Sequence, residues 1–170
     1  MVYRARYEGG NLRLMANRLP DLKDGQVVNV TIEQDRSEAS HRHQFAWLKT
    51  AWENLPEALA WEDWAQTTET LRKEALIRTG YFHQVVIDCG NDKIARSVAA
   101  EVGKARRASE GHARAIVRQG VAVIRWPESQ SYKAMGKERF QQSKQAVLEW
   151  VADLIGVSPD ELAKMGKEAA

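Results

Sequence analysis

The feature that most constrains this sequence is the stretch of residues 121–155, in which an apolar strand, a short polar bridge and a long amphipathic helix follow one another. The β-branched, apolar residues 121–126 predict a strand that Pro127 ends, because proline lacks the N–H that a central strand needs. Beyond the bridge, apolar residues recur at the spacing of one helix face. Gly156 stands where a left-handed residue would end that helix. This stretch alone predicts a helix packed on a sheet, and none of its residues indicates a reaction.

Other strands and helices follow from the same patterns. Two hairpins are predicted: residues 2–7 and 12–15 flank Gly9-Gly10, and residues 113–118 and 121–126 flank Gln119-Gly120. Two more strands are predicted at residues 27–32 and 81–88.

Three helices are predicted from apolar residues that recur on one face. The first face contains His41, Phe45, Leu48, Trp52 and Leu55, and the second, within residues 61–79, contains Trp64, Thr68, Leu71 and Ala75. The third face contains Ile94, Val98, Val102 and Ala105, and Asp92 is the predicted N-cap of that helix. A capping box at Ser158 predicts a short last helix ending near Gly166. The predicted fold class is α+β, with an antiparallel sheet built from two β-hairpins and additional strands, packed against three to four helices.

Composition sets the broad class of protein. The chain has 170 residues, 44% of them hydrophobic and 28% charged, which is typical of a globular protein with a real core. We predict a single domain over residues 1–170, with residues 155–170 forming the short terminal helix. The single cysteine, Cys89, excludes an internal disulfide and is typical of a reducing compartment. No apolar run is long enough for a membrane span or a signal peptide, so we expect a cytoplasmic protein with no membrane partner.

The residues that commonly hold metals or perform catalysis are scattered. His41 and His43 are two apart, so on a helix they point to different sides and cannot share a metal. His83, Cys89 and His112 lack the spacing of metal ligands. Asp88, Asp92 and Glu101 would be the carboxylates of a magnesium site, but such residues are common at turns and caps. We therefore predict no catalytic residue, no metal and no cofactor, and a structural Cys89; a metal-dependent nuclease is the weakest of the alternatives.

Charge is the stronger signal. Residues 93–118 hold seven basic and two acidic residues, an excess of five, whereas residues 57–69 are acidic. Such a basic segment can neutralise phosphates, and aromatic residues among cations are typical of proteins that bind single-stranded nucleic acid. The competing interpretation is that these are ordinary solvated helix faces and core tryptophans. The candidate contact residues are Arg36, Arg42, Arg106, Arg107, Arg114, Arg118, Trp126, Tyr132 and Lys133.

Two stretches resemble a known family. Ser129-x-Ser131-Tyr132-x-x-Met135-x-x-x-x-Phe140 and His41-Arg42-x-x-Phe45-x-x-Leu48 resemble signatures of an uncharacterised lambdoid phage protein family. More distantly, both stretches are similar to the NinB (Orf) phage recombination mediator family. The positions matching that second family are Arg36, Ser37, Arg42, Phe45, Ser131, Met135 and Phe140. The sequence departs from the mediator pattern in the polar run after Ser37.

The resemblance implies a phage or prophage origin. Similarity to the mediator family implies a homodimer that binds single-stranded DNA and the host single-strand-binding protein, without catalysis. Considered physically, the signature itself predicts structure: Met135 and Phe140 would pin the start of the long helix against the sheet, while Ser129 and Ser131 would satisfy backbone groups in the bridge. The predicted function is a non-enzymatic accessory of DNA recombination or replication. The alternative is a protein–protein interaction module, which would present an exposed apolar or tryptophan patch.

Overall fold

The computed structural model of the chain describes the backbone of residues 5–14, 23, 25–27 and 38–168, and within these ranges it leaves out the side chains of residues 5, 7, 14, 38–42, 132 and 133. The chain divides into two compact units, Met1–Glu33 and Gln34–Ala170, and each is described by itself. The single-domain prediction stays a prediction.

The first unit contains a β-hairpin. Strands β1 (Ala5–Glu8) and β2 (Asn11–Leu14) pair antiparallel around a two-residue turn of Gly9 and Gly10. Both glycines have positive φ, +56° and +88°, the backbone that such tight turns require. The first predicted hairpin is therefore confirmed. The predicted strand at residues 27–32 lies outside the described residues except for Val27, which is 94% exposed.

The second unit combines helices with a three-stranded sheet. Its elements in chain order are α1 (Glu38–Glu53), α2 (Thr68–Arg78), β3 (Phe82–Asp88), α3 (Asp92–Glu110), β4 (Arg114–Arg118), β5 (Val121–Pro127), α4 (Tyr132–Met135), α5 (Lys137–Leu154) and α6 (Pro159–Glu168). The α+β class is confirmed. No helix in the described part of the chain is long and apolar enough to cross a membrane.

The sheet of the second unit has the order β3-β5-β4, and both pairings are antiparallel. Strands β4 and β5 form the second predicted hairpin. Its turn holds Gln119 and Gly120 at φ +51° and +77°. Val85 of β3 pairs with Ile124 of β5, so the predicted strand at residues 81–88 joins this sheet as expected.

Two clusters of buried residues stabilise the second unit. The larger lies among α1, α2, α5 and α6, and contains fully buried Trp47, Leu71, Val147 and Leu162. The smaller lies between α3 and the sheet and is built of small residues together with Ile124. Small side chains let a helix approach a sheet closely, and a Cβ built on Gly103 of α3 would lie 3.4 Å from the Cβ of Ala115.

The predicted buried faces of α1 and α3 were partly wrong. On α1, Phe45 and Trp52 are 41% and 36% exposed, while Trp47, Gln44 and Ala51 are fully buried beside the correctly predicted Leu48. On α3, the buried residues are Ala95, Ala99 and Gly103, whereas Ile94 is 51% exposed and Val98 and Val102 are half-buried. The predicted face of α1 missed Trp47 as well as Gln44 and Ala51, and the predicted face of α3 missed the small residues that turn inward.

Three helix ends also differ from the prediction. The second predicted helix begins at Thr68 rather than residue 61, because Thr67 forms a capping box with Thr70. Asn91, not Asp92, caps α3 by accepting a hydrogen bond from the Ile94 N–H. Asp92 instead accepts one from the Gly120 N–H in the β4–β5 turn, at 2.6 Å. The last helix runs on to Glu168, although Ser158 caps its start as predicted.

Candidate nucleic-acid interface

A cavity of about 400 Å³ opens where α1, α2, the end of α3 and the bridge after β5 come together. We call it the Phe45 cavity. Its lining includes Phe45 of α1, Arg72 and Lys73 of α2, Ser109 of α3 and residues 127–131 of the bridge. An exposed aromatic ring, hydroxyl groups, carboxylates and cations thus share one concave surface.

The two stretches that carry the family resemblance meet in this cavity. Phe45 belongs to the first stretch, and Ser129 and Ser131 belong to the second. A hydrogen bond of 3.4 Å joins the neighbouring side chains, from Gln44 Nε2 to Gln130 Oε1. Segments more than eighty residues apart in the sequence therefore build one local surface.

The bridge has the structural role that the signature predicted. Ser129 Oγ accepts a hydrogen bond from the Ser131 N–H, and Ser131 Oγ accepts one from the Ala134 N–H, both at 3.3 Å. Met135 and Phe140 are 6% and 2% exposed, so both side chains are buried, while their predicted packing against the sheet stays a prediction. The signature fixes the wall of the cavity rather than supplying a reactive group.

Arg72 is held at the centre of the cavity wall. Its Nε and Nη2 donate to the two carboxylate oxygens of Glu69, at 2.8 and 2.7 Å, and its Nη1 donates to Gln130 Oε1. The guanidinium carbon lies 5.9 Å from the centroid of the Phe45 ring. Lys73 Nζ lies 3.3 Å from the same Glu69 carboxylate. These contacts fix both cations in position before any ligand arrives.

The charge balance of the cavity argues against a phosphate pocket. Arg72 and Lys73 face three carboxylates in the lining, Glu69, Glu110 and Glu128. Burial alone would raise the pKa of Glu69, but hydrogen bonds and charges from Arg72 and Lys73 together hold that pKa below its ordinary value. Glu69 is thus ionised at neutral pH, and a lining with three carboxylates and two cations suits a neutral group with hydrogen-bonding edges better than an anion.

Two of the predicted contact residues lie in direct contact beside this cavity. The guanidinium carbon of Arg106 lies 3.9 Å from the centroid of the Trp126 ring, a cation–π contact. Arg106 also pairs at 3.8 Å with Glu110, which lines the cavity. His83 of β3 is paired with Trp126 on the neighbouring strand β5, and their ring centroids are 5.9 Å apart. One face of Trp126 is therefore covered by a cation that is itself 40% exposed.

Other predicted contact residues stand close in the sequence to residues that line the cavity or contact its lining. Arg42 lies on α1, one turn before Phe45, and Tyr132 and Lys133 open α4 directly after Ser131. Arg107 follows Arg106 on α3, is exposed, and donates to the Ala113 carbonyl at 3.3 Å. Arg36 lies outside the described residues.

Arg114 and Arg118 lie elsewhere. Side chains alternate along a strand, and Ala122 and Ile124 of β5 pack toward α3. In the β4–β5 register, Arg114 pairs with Arg125 and Arg118 with Val121, so both arginines occupy the sheet face opposite α3. They do not share a face with Trp126, so the candidates whose side chains are described lie on separate surfaces.

A buried charge cluster was missed by the sequence analysis. Glu74 is 1% exposed, and its Oε1 accepts hydrogen bonds from Arg78 Nε and Arg114 Nη1, both at 2.6 Å. Its Oε2 accepts one from His112 Nε2 at 2.9 Å. Burial raises the pKa of Glu74, but the hydrogen bonds from His112 and Arg78 and the nearby guanidinium charges outweigh it and lower the pKa to about 2. The sequence signal that could have revealed this cluster is the position of Glu74, three residues after Leu71 and therefore on the buried face of α2.

The remaining titratable residues do not form a recognisable reaction centre. Within residues 5–14, 23, 25–27 and 38–168, no group of three or more His, Cys, Asp or Glu side chains could hold a metal ion. Cys89 is half-buried, with Sγ 3.6 Å from the Ile87 carbonyl. The side chain of His43 is half-buried, while that of His41 is outside the described residues.

No protein family, curated protein or solved structure matches this chain.

Proposed function

We propose that this chain is a non-enzymatic accessory of phage or prophage DNA recombination or replication, acting in the cytoplasm by binding single-stranded DNA. The supporting observation is the convergence of two distant stretches on the Phe45 cavity, with Arg106 beside it and paired with Glu110 of the lining. The predicted homodimer and the predicted contact with the host single-strand-binding protein stay predictions.

An unpaired base fits the chemistry of the cavity better than a duplex does. Phe45 is 41% exposed and offers a ring on which a base can stack. The exposed Ser129 hydroxyl of the bridge, which accepts from the Ser131 N–H, can donate a hydrogen bond to a base edge. A paired base would not present that edge in a concave site. The phosphates then run outside the acidic lining, toward Arg106 and Arg107 at the end of α3.

Reversing the charge of Arg106 and Arg107 to glutamate is expected to weaken single-stranded DNA binding for all base sequences. Two lost phosphate contacts should reduce the steepness of log K against log salt by about 1.4, since each phosphate contributes about 0.7 for single strands. Fluorescence anisotropy of a labelled oligonucleotide across a salt series measures both quantities.

The double variant Lys164→Glu/Lys167→Glu is the matched control. It changes the net charge by the same amount at two exposed positions of α6. A purely global charge effect would weaken binding equally in both double variants, and that result would remove Arg106 and Arg107 from the interface. A selective loss in the α3 variant supports the proposal.

A further inference from the structure

The loop between α1 and α2 presents a tryptophan to solvent. Trp61 is 91% exposed, whereas Trp47 is fully buried and Trp64 is 8% exposed. A large aromatic side chain leaves about 150–250 Å² of surface for a partner to cover. Isolated exposed apolar residues need no explanation, but Trp61 also borders a cavity and is far more exposed than Phe45, which borders the other cavity.

The exposure of Trp61 is built into a well-bonded loop. Short 3₁₀ turns at Glu57–Leu59 and Asp63–Ala65 flank the residue on either side. Gln66 Nε2 donates to the carbonyls of Ala60 and Glu62 at 3.0 and 3.1 Å, closing the loop around Trp61. The ring is therefore held outward by local structure, so a partner meets it without first ordering the loop.

The surroundings of Trp61 are acidic. Residues 53–71 contain five carboxylates and no Lys, Arg or His. Glu57, Glu62 and Asp63 are exposed. A phosphate backbone would be repelled here, because binding nucleic acid depends on cations that neutralise phosphates. A cationic side chain is attracted both by the carboxylates and by the face of the indole ring.

A cavity of about 550 Å³ lies next to the ring, with Glu62 and Asp63 on the same side as Trp61. Its other side is formed by the Glu74 cluster, where Arg78 and Arg114 are already paired with the buried carboxylate. The lining holds three carboxylates and two guanidinium groups, a net charge of −1, and its exposed carboxylates, Glu62 and Asp63, lie on the Trp61 side. The residues of this cavity are different from those of the Phe45 cavity.

We propose that the Trp61 loop is a docking site for a basic segment of a partner protein, in which an arginine stacks on Trp61 and pairs with Glu62 and Asp63. Arginine fits better than lysine, since its planar guanidinium stacks on aromatic rings while still donating to carboxylates. Apolar neighbours of that arginine cover the rest of the ring. The site is independent of DNA binding.

The test uses the full chain and the peptide acetyl-Leu-Arg-Leu-amide, with citrulline in place of arginine as the uncharged analogue. The arginine peptide is expected to shift the Trp61 indole N–H signal in a ¹⁵N–¹H spectrum, saturably and less at higher salt. The Trp61→Phe variant assigns that signal. The Glu62→Gln/Asp63→Asn variant should bind the peptide roughly tenfold more weakly, while Asp160→Asn/Glu161→Gln, an equal charge change on α6, should not.

Three outcomes would overturn the proposal. The first is equal binding of the citrulline peptide, and the second is arginine-peptide binding that survives Trp61→Ala. The third is a Trp61 signal that responds to a single-stranded oligonucleotide or to protein concentration instead, which would identify DNA or a second copy as the occupant.

The thermal unfolding temperature of Trp61→Ala should equal that of the wild type, because so exposed a ring contributes little to the fold.

Discussion

Replacing Glu74 with alanine is expected to lower the free energy of unfolding by about 3–5 kcal/mol, the usual cost of breaking a buried ion pair by removing one partner. The carboxylate is 1% exposed and accepts hydrogen bonds from three side chains. Without it, His112, which is 6% exposed, cannot replace its partner with bulk water. Arg78 and Arg114 are 42% and 34% exposed and recover part of their hydration. The loss should therefore fall toward the lower end of that range.

Urea denaturation at pH 7 measures this loss, and Glu53→Ala provides the control. Glu53 also pairs with a basic residue one turn away, Lys49 at 3.7 Å, but its side chain is 51% exposed. Exposed pairs contribute about 0–1 kcal/mol. Equal losses in the two variants would contradict a stabilising role for the Glu74 cluster.

The same carboxylate makes a pH-dependent contribution to stability. Its pKa falls from an ordinary value of 4.5 in the unfolded chain to about 2 in the folded protein. The stabilisation is therefore fully present above pH 4.5 and is lost as the pH falls from there through 2. The stability difference between wild type and Glu74→Ala should shrink over that window, and a constant difference down to pH 2 would show that ionisation of Glu74 is not its source.

The second large effect is expected at Gly166. A Cβ at this position would lie 2.6 Å from Trp47 Cβ and 2.7 Å from the Trp47 backbone, where α6 packs on α1. Because the clash involves backbone atoms of a fully buried residue, one helix must shift, and such overpacking costs about 1–3 kcal/mol or more. Gly166→Ala should therefore be destabilising despite the better helix propensity of alanine.

Gly103→Ala is the matched control for this substitution. Gly103 is also a buried helical glycine, but its added Cβ would meet Ala115 Cβ at an ordinary 3.4 Å. Alanine gains about 1 kcal/mol of helix propensity over glycine, so this variant should be neutral or slightly stabilised. Thermal and urea unfolding measure the stability of both variants. If Gly166→Ala were as stable as Gly103→Ala, that result would contradict the close packing of α6 on α1.

Local patterns predicted the fold class well because the hairpins are local. Gln119-Gly120 between two apolar runs specifies a turn without reference to the rest of the chain. The buried helix faces were harder, since burial is a tertiary property. Ala95, Ala99 and Gly103 turn inward because α3 lies close to the sheet, and no periodicity of large residues reveals that. Gln44 is buried because its partner Gln130 lies 86 residues away.

The candidate sites were also only partly predictable, because they depend on contacts between residues that are distant in the sequence. The sequence analysis chose Arg106 and Trp126 as contact residues, but it placed Phe45 on the buried face of α1 and gave Ser131 only a structural role. It did not show that Phe45 and Ser131 line one cavity while Arg106 and Trp126 contact each other beside it. Likewise, Arg114 was chosen for its charge. That charge is paired with Glu74, 40 residues away, which no spacing rule connects to it.

The central claim is that the Phe45 cavity binds an unpaired base. The most direct measurement is the affinity of the wild type and of Phe45→Ala for a labelled single-stranded oligonucleotide at low and moderate salt, with duplex DNA and Ile94→Ala as controls. Ile94 is similarly exposed, by 51%, on another helix. Stacking of a base is worth about 1–3 kcal/mol. We therefore expect salt-sensitive binding that favours the single strand, and a loss of roughly 5- to 140-fold in Phe45→Ala alone. No binding at low salt, or equal affinity of Phe45→Ala and wild type, would contradict the account.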